Sequence, residues 1–210
     1  MRYLFTRFDE VALRFGEHLR MTLIALAIAL VIALPLGVLI ARHRRLERPI
    51  MTVLNLLYTI PSLALLVLLI PIVGLGLDNA VIVLVLYAQV ILVRNIVVGL
   101  KGVEPAIVEA ARGMGMNAWQ QLVRVEAPIA LPVILAGVRI ATVAIIGIGA
   151  IAALINAGGI GRLLFDGVAT ANEQKIIAGS VAAATLAGLA NLLLRLAERR
   201  AAFAVHGDER

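Results

Sequence analysis

Met21-Thr22-Leu23-Ile24-Ala25-Leu26-Ala27-Ile28-Ala29-Leu30-Val31-Ile32-Ala33-Leu34-Pro35-Leu36-Gly37-Val38-Leu39-Ile40-Ala41 is a run of 21 residues without a charge. A helix rises about 1.5 Å per residue, and the hydrocarbon core of a bilayer is about 30 Å thick. The run therefore reads as one membrane crossing. The rest of the chain agrees with it. Ordinary soluble domains are roughly 45–50% apolar and about 25% charged, whereas these 210 residues are 62% hydrophobic and 15% charged. A disordered chain, a collagen-like chain and an ordinary cytosolic enzyme are excluded.

Four further spans follow. The boundaries read 21–41, 50–72, 79–100, 132–154 and 175–195, within a membrane domain covering 20–200. The second span lies in an uncharged stretch from Pro49 to Leu77, too long for a single crossing. Part of it is expected to be a tilted end, a re-entrant segment or a loop. Pro61 in its interior removes a helical hydrogen bond and clashes one turn back, which predicts a kink. The small-residue stripes Gly137, Ala141, Ala144 and Ala178, Ala182, Thr185 fit close helix packing, inside the chain or against a second copy.

The ends are more polar. Residues 1–19 carry too many charges for a signal peptide. Leu4, Phe5, Phe8, Val11, Ala12, Phe15 and Leu19 recur at helical spacing, which predicts a short amphipathic helix. It either lies in the membrane interface or packs on the bundle. Residues 201–210 form a polar tail.

Net charge is +6. In a membrane chain this follows from the cytoplasmic excess of basic residues, and no nucleic-acid partner is expected. Five spans put the termini on opposite sides. With the amino terminus outside, 13 of the 19 basic residues fall on the cytoplasmic side, most densely at Arg42, Arg44, Arg45 and Arg48. Arg94 and Arg139 lie toward the cytoplasmic ends of their spans, where each can snorkel to the interface.

The polar connector 104–128 carries the strongest local signals. Pro105 suits a first helical turn. Ala106, Ile107, Ala110, Ala111 and Met114 then form one apolar face. Gly113 and Gly115 end that helix, and either can take the left-handed cap conformation. Asn117 with Gln120 predicts a capping box. A second short helix runs through Trp119, Leu122 and Val123 to Pro128. The apolar face must fold back on the bundle or dock into a partner's groove. Glu109 is expected to pair with Arg112 at i+3.

Here the chain resembles a known family. Glu109-Ala110-Ala111, Gly115 and Val125-Glu126-Ala127-Pro128 are similar to the EAA loop of ABC importer permeases. That loop normally ends Ile-x-Leu-Pro; Val125 and Ala127 depart from it conservatively. Tyr58-Thr59-Ile60-Pro61-Ser62-Leu63, Gly113-Met114-Gly115-Met116-Asn117 and Asn156-Ala157-Gly158-Gly159-Ile160-Gly161 resemble permeases of osmoprotectant importers. The resemblance covers nearly the whole chain. It implies an all-α, five-span, type I importer permease in a bacterial inner membrane. It implies that Glu109, Ala110, Ala111, Gly115, Met116, Trp119 and Pro128 couple to a cytoplasmic ATPase, which binds ATP and magnesium. It also implies a second permease subunit, identical or paralogous, and an extracellular or periplasmic solute-binding protein.

The remaining residues support no enzyme. There is no Walker motif, and no lysine follows Gly158-Gly159-x-Gly161. His18, His43 and His206 lack metal-ligand spacing, and cysteine is absent, so no metal or cofactor site is expected. Aromatics are 4% of the chain, too few for an obvious cage around a quaternary ammonium. Selectivity is therefore expected in the separate binding protein. Tyr58, Pro61, Ser62 and Tyr87 are the candidates for the translocation path, and Gly158, Gly159 and Gly161 for a hinge or outer gate. The expected solute is glycine betaine, choline or carnitine. The alternatives are a methionine or other amino-acid importer, or a self-contained channel or carrier.

Overall fold

The computed structural model describes residue 3 and residues 6–207. Within them the chain forms α1 (Phe8–Arg42), α2 (Arg44–Thr59), α3 (Ser62–Leu68), α4 (Ile70–Val73), α5 (Leu77–Lys101), α6 (Pro105–Gly113), α7 (Ala118–Gln121), α8 (Ala127–Ile151), α9 (Gly161–Ala169) and α10 (Glu173–His206). No strand occurs among the described residues. Four helical stretches are each long and apolar enough to cross a bilayer: Phe8–Arg42, Leu77–Lys101, Ala118–Ile155 and Glu173–Ala204. The pair Arg44–Thr59 and Ser62–Val73, bent by 90°, makes a fifth.

The bend falls at Ile60–Pro61, where Pro61 leaves the helix and Ile60 is extended at ψ 128°. Asn79 then holds the second arm. Its Nδ2 donates to the carbonyls of Leu66, at 3.1 Å, and Gly74, at 2.8 Å. The bent pair thus crosses from the Arg44 end of the bundle to the Gly76 end, where Gly76 N donates to the Ile155 carbonyl at 2.8 Å.

Residues 8–19 of the amphipathic segment are not a separate helix. From Phe8 the helix continues without a break into the first span, and Gly16 is the weakest helix former on the way. Of the two arrangements open to it, packing on the bundle is the one found. Val11 and Phe15 pack with Ile160, Leu163, Ala178 and Ala182. Met1, Arg2, Leu4 and Phe5 lie outside the described residues, as do Asp208, Glu209 and Arg210 of the tail.

Helix α5 is the axis of the bundle, buried on most of its surface against α1, α2 and α8. Close approach depends on small residues. Ala25, Ala29, Ala33 and Gly37 repeat every fourth position along the buried side of α1. A Cβ on Gly37 would lie 2.5 Å from Ile96 Cγ2, and one on Gly137 would lie 2.4 Å from Asn95 Cβ. Gly137 and Ala141 thus serve packing within the chain, as do Ala178 and Ala182, while Thr185 is exposed. Arg139 turns toward α10, where its guanidinium donates to Glu198 at 2.9 Å and Asn191 at 3.2 Å.

Candidate coupling loop and translocation path

The connector folds by local rules. Pro105 occupies the first turn of α6, where its missing N–H leaves no acceptor unsatisfied. The helix stops because Gly115 adopts φ +81°, which only glycine enters without strain. Met116 N donates to Ala111 O at 3.2 Å and Gly115 N to Arg112 O at 3.0 Å, the two bonds of a Schellman cap. Of the two glycines that could cap, Gly115 is the one that does. Asn117 Oδ1 then accepts from Gln120 N, and Gln120 Oε1 from Asn117 N, each at 2.9 Å. Gln121, buried, donates to the Met116 carbonyl at 2.8 Å and secures the turn from beneath.

The second helix leads into the next span, and Pro128 does not interrupt it. Helix α7 passes through a π turn, Leu122–Glu126, directly into α8. The wider turn lies just ahead of Pro128, whose ring would collide with the preceding carbonyls of a regular α-helix. The loop therefore joins the fourth span as one helical stretch, Ala118–Ile155.

The apolar face of α6 does not fold back. Only Ala111 is buried, while Ala106, Ile107 and Ala110 are exposed. Met114 and Trp119 are each 70% exposed. Glu109 and Arg112 both face outward, and the expected ion pair between them is not formed among the described residues. What holds the loop lies at its far end. Glu126, 4% exposed, accepts from Arg42 Nη2 at 2.9 Å and ties the loop to the foot of the first span. Nearby, Lys101 is ion-paired with Glu47. Sequence reading places Glu126 only as a motif position; a pairing across 84 positions leaves no local signal.

Three of the predicted path residues meet at the bend. The Tyr87 hydroxyl donates to the Ile60 carbonyl, one of the groups freed by the break before Pro61. The rings of Tyr58 and Tyr87 lie 5.5 Å apart at 52°. Ser62 is half-buried on the second arm. Below the bend, Arg94 Nη2 donates to Asn55 Oδ1 at 2.9 Å. That pair borders two cavities, of about 950 Å³ and about 270 Å³.

Gly158, Gly159 and Gly161 lie at the opposite end of the bundle. Gly158 and Gly159 have φ +79° and +78°. Gly159 N donates to Glu17 Oε2 at 2.9 Å, and Glu17 also accepts from Arg14 at 3.0 Å. A Cβ on Gly159 would lie 2.9 Å from His18 Nδ1, and one on Gly161 only 1.9 Å from the Ala150 carbonyl oxygen. His18 is fully buried, its Nε2 donating to the Ile146 carbonyl at 3.1 Å. The glycines therefore form a close-fitting clasp between α1, α8 and α9.

A five-crossing bundle with a capped loop that exposes Ile107, Met114 and Trp119 at one end defines a helical membrane protein. Residues 33–203 match the family of binding-protein-dependent transport system inner membrane components, and the chain belongs to that family. It is 36% identical over 200 residues to the glycine betaine/carnitine/choline transport system permease protein OpuCB of Bacillus subtilis, covering 95% of this chain and 92% of that protein. It is 43% identical over 183 residues to the osmoprotectant import permease protein OsmW of Salmonella typhimurium, covering 85% of each. Its fold is also similar to a chain of the MetNI methionine ABC transporter in an inward-facing conformation. That match has a TM-score of 0.83 and 25% identity, and covers 91% of this chain and 96% of the other.

Proposed function

We propose that two permease subunits, this chain and an identical or paralogous one, form the path of an ATP-driven importer for osmoprotectants such as glycine betaine, carnitine or choline. The observation that carries the mechanism is the loop itself: Ile107, Met114 and Trp119 exposed on a capped helix–turn–helix whose base is fixed to the first span by Arg42–Glu126. Such a surface fits the groove of a cytoplasmic ATPase subunit. Glu109, Ala110, Ala111, Gly115, Met116, Trp119 and Pro128 belong to that coupling unit. ATP and magnesium bind the ATPase, whose closure moves the loop and, through α8 and α1, the spans. Tyr58, Pro61, Ser62 and Tyr87 belong to the path, and Gly158, Gly159 and Gly161 to the gate at its outer end. A separate binding protein delivers the solute. The amino terminus lies outside and the carboxyl terminus inside. The solute class rests on the relatives that are 36% and 43% identical. An amino-acid importer is the second reading, favoured by the likeness to the methionine transporter.

The test is ATP-dependent uptake in proteoliposomes holding the permease with its cognate ATPase and binding protein. Labelled glycine betaine, carnitine or choline is expected to accumulate, and methionine is not. Glu109→Lys is expected to lower uptake about tenfold or more at unchanged membrane level, the cost of placing a wrong charge in a docked interface. Normal uptake by Glu109→Lys would remove the coupling role. Uptake of methionine alone would replace the solute.

A further inference from the structure

We infer that the polar face of α2, completed by Arg94 of α5, lines the half of the solute path next to the coupling loop and favours solutes carrying a carboxylate over bare cations. This deepens the importer reading above and rests on it. Arg45, Arg48, Thr52, Asn55 and Thr59 alternate three and four positions apart, so they share one face of α2. All five are exposed. Leu54 marks the side buried in the bundle, and Val53, 55% exposed, marks a third side. Thr59 satisfies its own hydroxyl on the Leu56 carbonyl at 2.7 Å. Asn55 instead faces Arg94 across the gap to α5. A polar stripe at membrane depth does not face lipid; it faces water or protein.

The space beside the stripe fits a water-filled path. The larger cavity is bordered by Arg44, Arg45, Arg48, Thr52, Asn55 and Arg94. Its volume, about 950 Å³, is ample for a small solute. The smaller one shares Asn55 and Arg94 and continues to Tyr58, which stacks on Tyr87 at the bend. The electrostatics are one-sided. Glu47 is the acidic residue of the larger cavity, and Lys101 already neutralises it. Arg94 lies two turns inward from the end of α5, about 10 Å, with the neutral Asn55 as its partner. A guanidinium there can bind a carboxylate through two parallel hydrogen bonds, and it repels a bare ammonium ion.

The chain contains no cysteine, so single-cysteine variants report without background. In the assembled transporter without ATP, Thr52→Cys and Asn55→Cys are expected to react with a membrane-impermeant thiol reagent added from the coupling-loop side. An anionic reagent should react faster than a cationic one of the same size. Val53→Cys should stay unlabelled. Labelling of Val53→Cys equal to that of its neighbours, or no labelling of Thr52→Cys and Asn55→Cys, would overturn the lining. Arg94→Gln is expected to lower the ratio of glycine betaine to choline uptake about tenfold, the worth of one charge-assisted hydrogen bond, while Arg94→Lys keeps most of it. An unchanged ratio in Arg94→Gln would overturn the charge preference. If the unmodified transporter takes up neither solute, the osmoprotectant reading fails, and the labelling pattern still decides the path.

Discussion

Gly115 sits at φ +81° with open space where a Cβ would go, so its substitution is a matter of backbone strain alone. A β-branched residue in the left-handed region costs roughly 1–2 kcal/mol, and asparagine less. Gly115→Val is therefore expected to leave the bundle intact but displace Met116 and Asn117, lowering transport while ATPase binding weakens. Gly115→Asn should retain most uptake. Equal loss in both variants, measured as uptake per inserted permease, would show that side-chain bulk rather than conformation matters there. The need for a cap was legible from Gly113, Gly115 and Asn117. Which glycine takes it was not, because both sit within reach of the last turn and only the register of the Met116–Ala111 bond selects one. The Arg42–Glu126 pair was not legible either, since nothing near Glu126 in the chain signals a partner at the end of the first span.

At the scale of elements, the proposed coupling loop follows almost entirely from local chemistry: Pro105 at a first turn, a glycine cap, and the Asn117–Gln120 box. These signals act within a few residues, and tertiary contacts do not override them. The joins between elements were harder. Nothing between Phe8 and Met21 stops a helix, so the amphipathic segment and the first span fuse into α1. Pro128 does not stop the second helix, because the π turn ahead of it lets the helix continue. The exposed face of the loop also yields a prediction. Trp119→Ala removes a side chain that is 70% exposed, so the melting temperature of the isolated permease should barely move. Its affinity for the ATPase subunit should fall by about 2 kcal/mol or more, near thirtyfold, as for a buried aromatic anchor. Binding assays on detergent-solubilised subunits would measure this, and a drop in thermal stability without a drop in affinity would contradict it.

For the whole molecule, the contacts sort into two ends. Arg42–Glu126 and Lys101–Glu47 lie at one, and Gly76–Ile155, Glu17–Gly159 and Lys175–Glu10 at the other. With the proposed orientation, Asp78→Cys should react with an impermeant thiol reagent added to intact cells, and Arg44→Cys only after permeabilisation. The reverse pattern would invert the topology. The chain's own composition determined that it belongs in a bilayer, roughly where it crosses, and how its polar connector folds. Those follow from hydrophobic length and from hydrogen bonds made within a few residues. The tertiary structure decided which apolar and small residues face each other, how the second crossing bends at Pro61, and that Arg94, Asn55, Tyr58 and Tyr87 gather beside one polar face. A helix written in Leu, Val and Ala is apolar on every side. Only packing against its neighbours determines which side is buried, which meets lipid, and which is left for water and solute.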